Sequence, residues 1–268
     1  MEDLDRVAKG AAAQQLADLT ALGLDWDGEI LWQSSRSAAY QDAIQTLTQA
    51  GKTYECFCTR REIQQAASAP HVTPGRYPGT CRHLTTAQRT EHQDSGRPAA
   101  LRLRAGVNNW TVQDELFGEI TGHTDDLVLR RNDGVFAYNL AVVVDDAAQG
   151  IDQVVRGDDL LSSAPQQAYL AHLLSLPQPV YAHVPLARNP ANDRLAKRDG
   201  AVTLSDLHLL GWRTPDVLTL IARSAGLNPT GAAPTAQSLV QTFDLKVLTR
   251  EPWIFGPAPR AAPERQHN

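Results

Sequence analysis

Along this chain the spacing of apolar residues changes several times, and each change predicts an element. Residues 9–21 place apolar side chains at helical spacing and are followed by Gly23, a stop signal. The stretch 37–50 repeats the pattern, with Ala39, Tyr40, Ala43, Ile44 and Leu47 on one face and Gly51 past its end, so it reads as an amphipathic helix. From 68 to 79, Pro, Gly, Ser and Thr crowd together and predict an irregular loop. Short alternating runs at 101–103, 110–112 and 127–129, separated by Gly and Asn, predict a small β-rich insertion. Residues 135–146 are too apolar for a surface element and read as core, either helix or strand. Residues 151–156 then read as a strand, and Ser162 or Ser163 ahead of Pro165 starts a helix reaching to about residue 176. A strand, a turn and a helix in succession imply α/β architecture. Beyond 181 helical patterns alternate with polar loops, and 256–268 has the Pro, Ala and charge content of a frayed, disordered tail.

A chain of 268 residues can hold one large α/β domain with an insertion, or two smaller domains. With 42% hydrophobic and 21% charged residues it belongs with ordinary globular proteins, which sets aside the disordered and fibrous classes. The formal charge of -5 provides no global field for nucleic acid, so any such contact falls to a local basic patch. The start, Met1-Glu2-Asp3-Leu4-Asp5, has neither a basic nor an apolar targeting region, and no apolar run approaches the roughly 20 residues that cross a bilayer. The expected location is the cytoplasm, with no membrane partner.

Three groups of residues could carry chemistry. Lys197 lies in a loop, Asp193-Arg194-Leu195-Ala196-Lys197-Arg198, with three cations in five positions. Such a lysine can offset charge developing on a phosphoryl centre, and the alternative is a solvated basic loop. Arg156 stands at the carboxyl end of the strand expected at 151–156, where open α/β sheets bind ligands, and Gly157 lets the chain turn there. Its planar fork suits a carboxylate, the alternative being an ion pair with Asp158 or Asp159. Tyr138 could add a hydroxyl or simply pack in the core. Cys56 and Cys58 form a C-x-C pair, and Cys81 follows the irregular loop. An odd number of cysteines in one stretch suits a structural zinc site better than disulfides. His71 and His83 are the chemically usual fourth ligands and Tyr77 an unusual one; three buried structural cysteines are the alternative.

Taken together, these segments resemble the glutamyl subgroup of class I aminoacyl-tRNA synthetases over residues 2–220. The resemblance rests on Glu2-Asp3-Leu4-Asp5, on Gly23-Leu24-Asp25-Trp26-Asp27-Gly28, on Tyr138-Asn139-Leu140-Ala141-Val142-Val143-Val144-Asp145-Asp146 and on Val155-Arg156-Gly157-Asp158-Asp159-Leu160-Leu161. Arg194-Leu195-Ala196-Lys197-Arg198 takes the place of the mobile signature loop written KMSKS, departing from it by Arg194 for the first lysine and Ala196 for the serine. The arrangement of Cys56, Cys58, Tyr77 and Cys81 is similar to the zinc site of the glutamyl-queuosine branch, which favours Tyr77 as the fourth ligand. The short remainder after the signature loop has no room for a helical anticodon-binding region, again as in that branch.

The resemblance implies a Rossmann-like parallel sheet lacking its first βα unit, a zinc-bearing insertion and a helical C-terminal part. It divides the chain into 1–50, the remainder of the first Rossmann half; 51–134, the zinc-binding and β-rich insertion; 135–180, the second half; 181–255, the signature loop and helical stem; and the tail. It implies an ATP-dependent ligase, acting as a monomer, that activates glutamate and transfers it to queuosine in the anticodon of tRNA(Asp), with magnesium accompanying ATP. Glu2, Tyr138 and Arg156 would hold glutamate, while Lys197 and His183 would meet ATP. Two other readings remain: a synthetase charging tRNA(Glu), and a non-catalytic remnant that keeps zinc or a tRNA-binding surface. The family's first strand, HIGH-type motif and following helix, on the order of 30 residues, would precede Glu2, which predicts a reading frame that starts upstream of Met1.

Overall fold

The structure is a computed structural model describing residues 10–67, 77–195, 203–227, 229 and 233–255. Its helices, in chain order, are α1 (Ala11–Ala21), α2 (Ser37–Gln49), α3 (Arg60–Ala67), α4 (Thr86–Asp94), α5 (Tyr138–Ala148), α6 (Ala164–Leu173), α7 (Leu204–Leu209), α8 (Thr214–Ser224) and α9 (Ala236–Val240). The strands are β1 (Thr53–Cys56), β2 (Ala100–Leu103), β3 (Asn109–Asp114), β4 (Gly118–His123), β5 (Val128–Arg130), β6 (Gln153–Gly157), β7 (Val180–Val184), β8 (Ala187–Arg188) and β9 (Trp253–Ile254). Several helix starts are written locally. Thr59, Thr85, Thr203 and Thr235 each accept a hydrogen bond from the backbone N–H three residues on, and the side chain there, Glu62, Gln88, Asp206 or Ser238, accepts one back from the threonine's own N–H. This reciprocal capping satisfies donors that a helix start otherwise leaves orphaned.

The chain falls into two units, one holding 30–155 and 160–182 and the other the described residues of 8–29, 156–159 and 183–268. In the first unit α2 presents Tyr40, Ile44 and Leu47, and α5 presents Leu140, Ala141 and Val143, to a core shared with Leu103, Leu129 and Leu170. A buried carboxylate joins the two helices beside this cluster. Asp145, 4% exposed on α5, accepts hydrogen bonds from the Tyr40 hydroxyl (2.6 Å) and Arg36 Nε (3.1 Å) and so ties α5 to α2. Burial first, and then the bond to Asp145, push the Tyr40 phenol above its ordinary range.

Sheet pairing is mixed. A three-stranded sheet runs β1-β2-β5, antiparallel throughout, and a four-stranded one β4-β3-β7-β6. Between β3 and β4 stand only Glu115, Leu116 and Phe117, too few for a crossover, and the two strands pair antiparallel from Asn109↔His123 to Asp114↔Gly118. Parallel pairing joins β3 to β7 at Asp114↔Tyr181, and β8 to β9. The expected parallel sheet is therefore corrected to a mixed one, because the hairpin predicted to lie in an insertion continues the sheet that contains β6 and β7. Residues 135–146, left between helix and strand, form most of α5. The region past 181 contains β8 and β9 as well as helices.

Gly122 in β4 shows how closely the first unit is packed. A Cβ there would meet the Pro165 ring at 2.7 Å, at the start of α6. Neither the proline ring nor the strand can yield easily, so Gly122→Ala is expected to lower unfolding stability by about 1–3 kcal/mol. Urea denaturation measures this, and an unchanged midpoint would contradict it.

In the second unit Leu204, Leu207, Val217 and Phe255 are buried together, with Leu22, Trp212 and Trp253 packed against them. The N-terminal helix expected at 9–21 thus ends beside a cluster contributed by α7, α8 and β9.

Candidate functional site

The cysteine cluster sits at the end of β1 and in the turn that precedes α4. The three sulfurs of Cys56, Cys58 and Cys81 all lie within 4.8 Å of one another, with Cys58 and Cys81 3.5 Å apart. The Tyr77 hydroxyl accepts from the Cys81 N–H (2.9 Å) and stands 3.2 Å from the Cys56 sulfur and 3.8 Å from that of Cys58. Sulfurs around a tetrahedral zinc are separated by about 3.8 Å, given its usual zinc–sulfur bond. The donor set therefore fits zinc, with Tyr77 facing the same point. His83 is exposed and outside this group, and His71 lies outside the described residues.

The surroundings act differently on the individual thiols. The Arg102 guanidinium carbon, in a side chain only 8% exposed, lies 3.7 Å above the centre of the Tyr77 ring. Burial alone would push the Cys56 thiol up, but hydrogen bonding with Tyr77 and Arg102 outweighs it and holds the thiol below its ordinary range. Burial, the Cys81 neighbour and the Cys56 charge push Cys58 up to about 12. Three thiolates with a dication sum to one negative charge, which Arg102 is placed to offset.

Beneath the cluster lies a polar support that the sequence did not announce. Asp125 accepts from the Tyr77 N–H (2.9 Å). Asp126, 4% exposed, accepts from the Tyr54 hydroxyl, from Arg82 Nη1 and from the Ala105 N–H (2.9 Å), while its own carbonyl accepts from Arg102 Nη1 (2.7 Å). Tyr54 is two residues from Cys56 and Arg82 adjoins Cys81, so one buried carboxylate fixes both arms of the cluster. The available signal was an Asp-Asp pair beside an apolar strand, which a turn explains equally well.

The second candidate group lies at the carboxyl end of β6. Arg156 Nε donates to His183 Nε2 at 3.0 Å, and His183 is fully buried in β7. Gly157 is tightly enclosed: a Cβ would come within 2.8 Å of both Asp159 Oδ1 and Leu186 Cδ2. Asp159 pairs with Arg194 Nη1 at 3.0 Å. Arg194 opens the signature-like segment, and its backbone bridges to Arg188 at the foot of a turn closed by Asn189 N–H to the Asp193 carbonyl (2.9 Å). The root of that loop is thereby anchored beside the end of β6, although the 75% exposure of Arg194 limits the ion pair to roughly 0–1 kcal/mol. Lys197 itself lies outside the described residues, as does Glu2.

Tyr138 opens α5 and is 54% exposed, so its hydroxyl is not consumed by the core. Its neighbour Asn139 accepts from Gln167 on α6 (2.8 Å). Among the described residues, no helix is long and apolar enough to cross a membrane.

Comparison with known proteins connects these features. Residues 2–257 match the model of the tRNA synthetases class I (E and Q), catalytic domain. A protein of Nocardia farcinica named glutamyl-Q tRNA(Asp) synthetase is 59% identical over 255 residues, covering 95% of this chain and 81% of that protein. One of the same name from Cutibacterium acnes is 51% identical over 232 residues, 85% of this chain and 65% of its own length. The crystal structure of a glutamate-tRNA synthetase from Elizabethkingia anophelis superposes with a TM-score of 0.77 at 20% identity, a likeness of fold. That superposition covers 95% of this chain, which spans only 60% of the solved one. With nearly its whole length matching the catalytic domain, the chain belongs to the class I tRNA synthetase family (E and Q).

Proposed function

We propose that the protein activates glutamate with ATP and transfers the glutamyl group to queuosine in the anticodon of tRNA(Asp). The observation that carries this reading is the 59% identity, over 81% of its length, to a relative named glutamyl-Q tRNA(Asp) synthetase. The cluster of Cys56, Cys58, Cys81 and Tyr77 supports it as the zinc site expected of that branch.

Activation joins the α-carboxylate of glutamate to the α-phosphorus of ATP and expels pyrophosphate; transfer to the nucleoside then releases AMP. Neither step needs a covalent enzyme intermediate, so the side chains act by positioning and by charge. Arg156 meets the side-chain carboxylate of glutamate, Glu2 and Tyr138 hold the amino acid, and Lys197 offsets charge on the phosphates of ATP, which arrives with magnesium. Zinc is structural: bound by the three thiolates and Tyr77, it clips the loop between Cys58 and Cys81. The protein works as a monomer in the cytoplasm.

The zinc assignment makes a direct prediction. The purified protein should contain about one zinc per chain, and Cys81→Ser should lose it and raise amide hydrogen exchange around β1 and α4. A metal-free protein with the same exchange protection as one loaded with zinc would contradict the assignment.

The function is tested with labelled glutamate, ATP and the full-length protein. Label is expected on queuosine-containing tRNA(Asp) and not on the same tRNA lacking queuosine. Label on tRNA(Glu) instead would indicate a synthetase charging that tRNA. Absence of both transfer and glutamate-dependent pyrophosphate exchange would leave a non-catalytic protein.

A further inference from the structure

We infer that His183 is a positioning residue for glutamate recognition, holding the Arg156 guanidinium through its Nε2. The inference rests on the reading of Arg156 as the group that meets the glutamate side chain. Its basis is the 3.0 Å contact from Arg156 Nε to His183 Nε2 and the complete burial of His183. A nitrogen that accepts from an arginine N–H carries no proton of its own, so in this contact the imidazole is the tautomer protonated at Nδ1.

Three features make this a positioning device rather than a packing accident. First, an arginine side chain has four rotatable bonds, and bidentate recognition of a carboxylate requires its plane to be fixed before the ligand arrives. A contact at Nε sets that plane, because Nε lies next to the aliphatic stem, and it withholds Nε from the incoming carboxylate. Second, the acceptor is neutral. An aspartate in its place would orient Arg156 equally well but would also supply a counter-charge in competition with the substrate's carboxylate. A neutral imidazole orients through this contact and adds no negative charge. Third, both residues sit on strands of one sheet: Arg156 on β6 and His183 on β7, which are hydrogen-bonded neighbours. Backbone pairing thus holds both ends of the contact.

The test compares substitutions at His183 by the identity of the atom they place at Nε2. His183→Gln carries a carboxamide oxygen at about the reach of Nε2 and should keep the KM for glutamate near that of the unsubstituted protein. His183→Asn reaches only as far as Nδ1, and His183→Leu offers no acceptor. Both should raise the KM for glutamate on the order of tenfold or more while leaving the KM for ATP unchanged in pyrophosphate exchange. The Gln and Asn variants both put one polar amide in place of the buried imidazole, so their difference remains readable if the Leu variant fails to fold. Equal KM values for Gln and Asn, or a rise confined to the KM for ATP, would overturn the inference, the latter placing His183 at the nucleotide. Arg156→Ala is measured alongside. If it leaves the KM for glutamate unchanged, the reading of Arg156 itself fails; if it raises that KM while every His183 variant behaves as the unsubstituted protein does, only the role of His183 fails.

Discussion

Replacing Arg156 by alanine is expected to lower kcat/KM for glutamate by on the order of a hundredfold to a thousandfold, the usual cost of truncating one partner of a desolvated charge pair. The KM for ATP should stay within about twofold, a margin within which a lost contact is worth well under 1 kcal/mol. Arg156 is the penultimate residue of β6, partly buried, and its Nε is held by a fully buried histidine. A cation so placed is oriented rather than merely present, and an oriented guanidinium recognises a carboxylate with two parallel bonds. Arg156→Lys should recover little, because an ammonium is a point charge that cannot reproduce the fork or the contact to His183. Discrimination should change more than rate. Glutamine, which has no charge for Arg156 to meet, should gain relative to glutamate in the alanine variant, since a site built on Arg156 would reject it by leaving a buried charge unpaired. Steady-state kinetics with both amino acids reads this directly. An alanine variant with an unchanged preference for glutamate would remove Arg156 from the binding site.

Asp126→Ala is expected to have the largest effect on stability, about 3–5 kcal/mol, because it breaks an ion pair whose carboxylate is buried and whose arginine is partly so, and it leaves the buried Tyr54 hydroxyl and the Ala105 N–H without that acceptor. Arg82, Tyr54 and the Ala105 N–H all converge on this one carboxylate. Against a total stability of about 5–15 kcal/mol for a typical domain, such a loss would leave the first unit close to its unfolding threshold. The effect should extend to the metal. Residues that hold ligands in place from behind typically contribute about 10–100-fold in metal affinity, and Asp126 restrains the segments on either side of the cysteines. Zinc competition with a chelator, compared between Asp126→Asn and the unsubstituted protein, isolates this contribution, since asparagine preserves one oxygen acceptor and most of the packing. Unaltered zinc affinity in a folded Asp126→Asn protein would mean that the cysteines position themselves.

How far the sequence foretold these sites depended on whether the interactions were local. The helix at 37–49 was legible because Tyr40, Ile44 and Leu47 repeat at its period and Gly51 follows. The cysteine cluster was legible because thiols two residues apart, with a third beyond a polar loop, have few uses that do not bring them together. Residues 135–146 were ambiguous for a physical reason: buried positions at 140, 141 and 143 blur the amphipathic period that separates a helix from a strand. The Asp126 support was not legible at all. Its partners come from residues 54, 82 and 105, and no local pattern links a carboxylate to donors that far away in sequence. The parallel sheet was expected from one strand–turn–helix run, yet the β3–β4 hairpin determines half of the four-stranded sheet. Asp159 was read as a possible partner of Arg156, and the ion pair it makes is with Arg194, a contact that only the fold of residues 188–194 brings about.

The most direct test of the account is a crystal structure of the full-length protein with a non-hydrolysable glutamyl-adenylate analogue. The account predicts one bound molecule whose side-chain carboxylate meets Arg156, with Tyr138 at its amino-acid end and Lys197 at its phosphate. An analogue bound away from Arg156, with Tyr138 and Lys197 on unrelated surfaces, would contradict it.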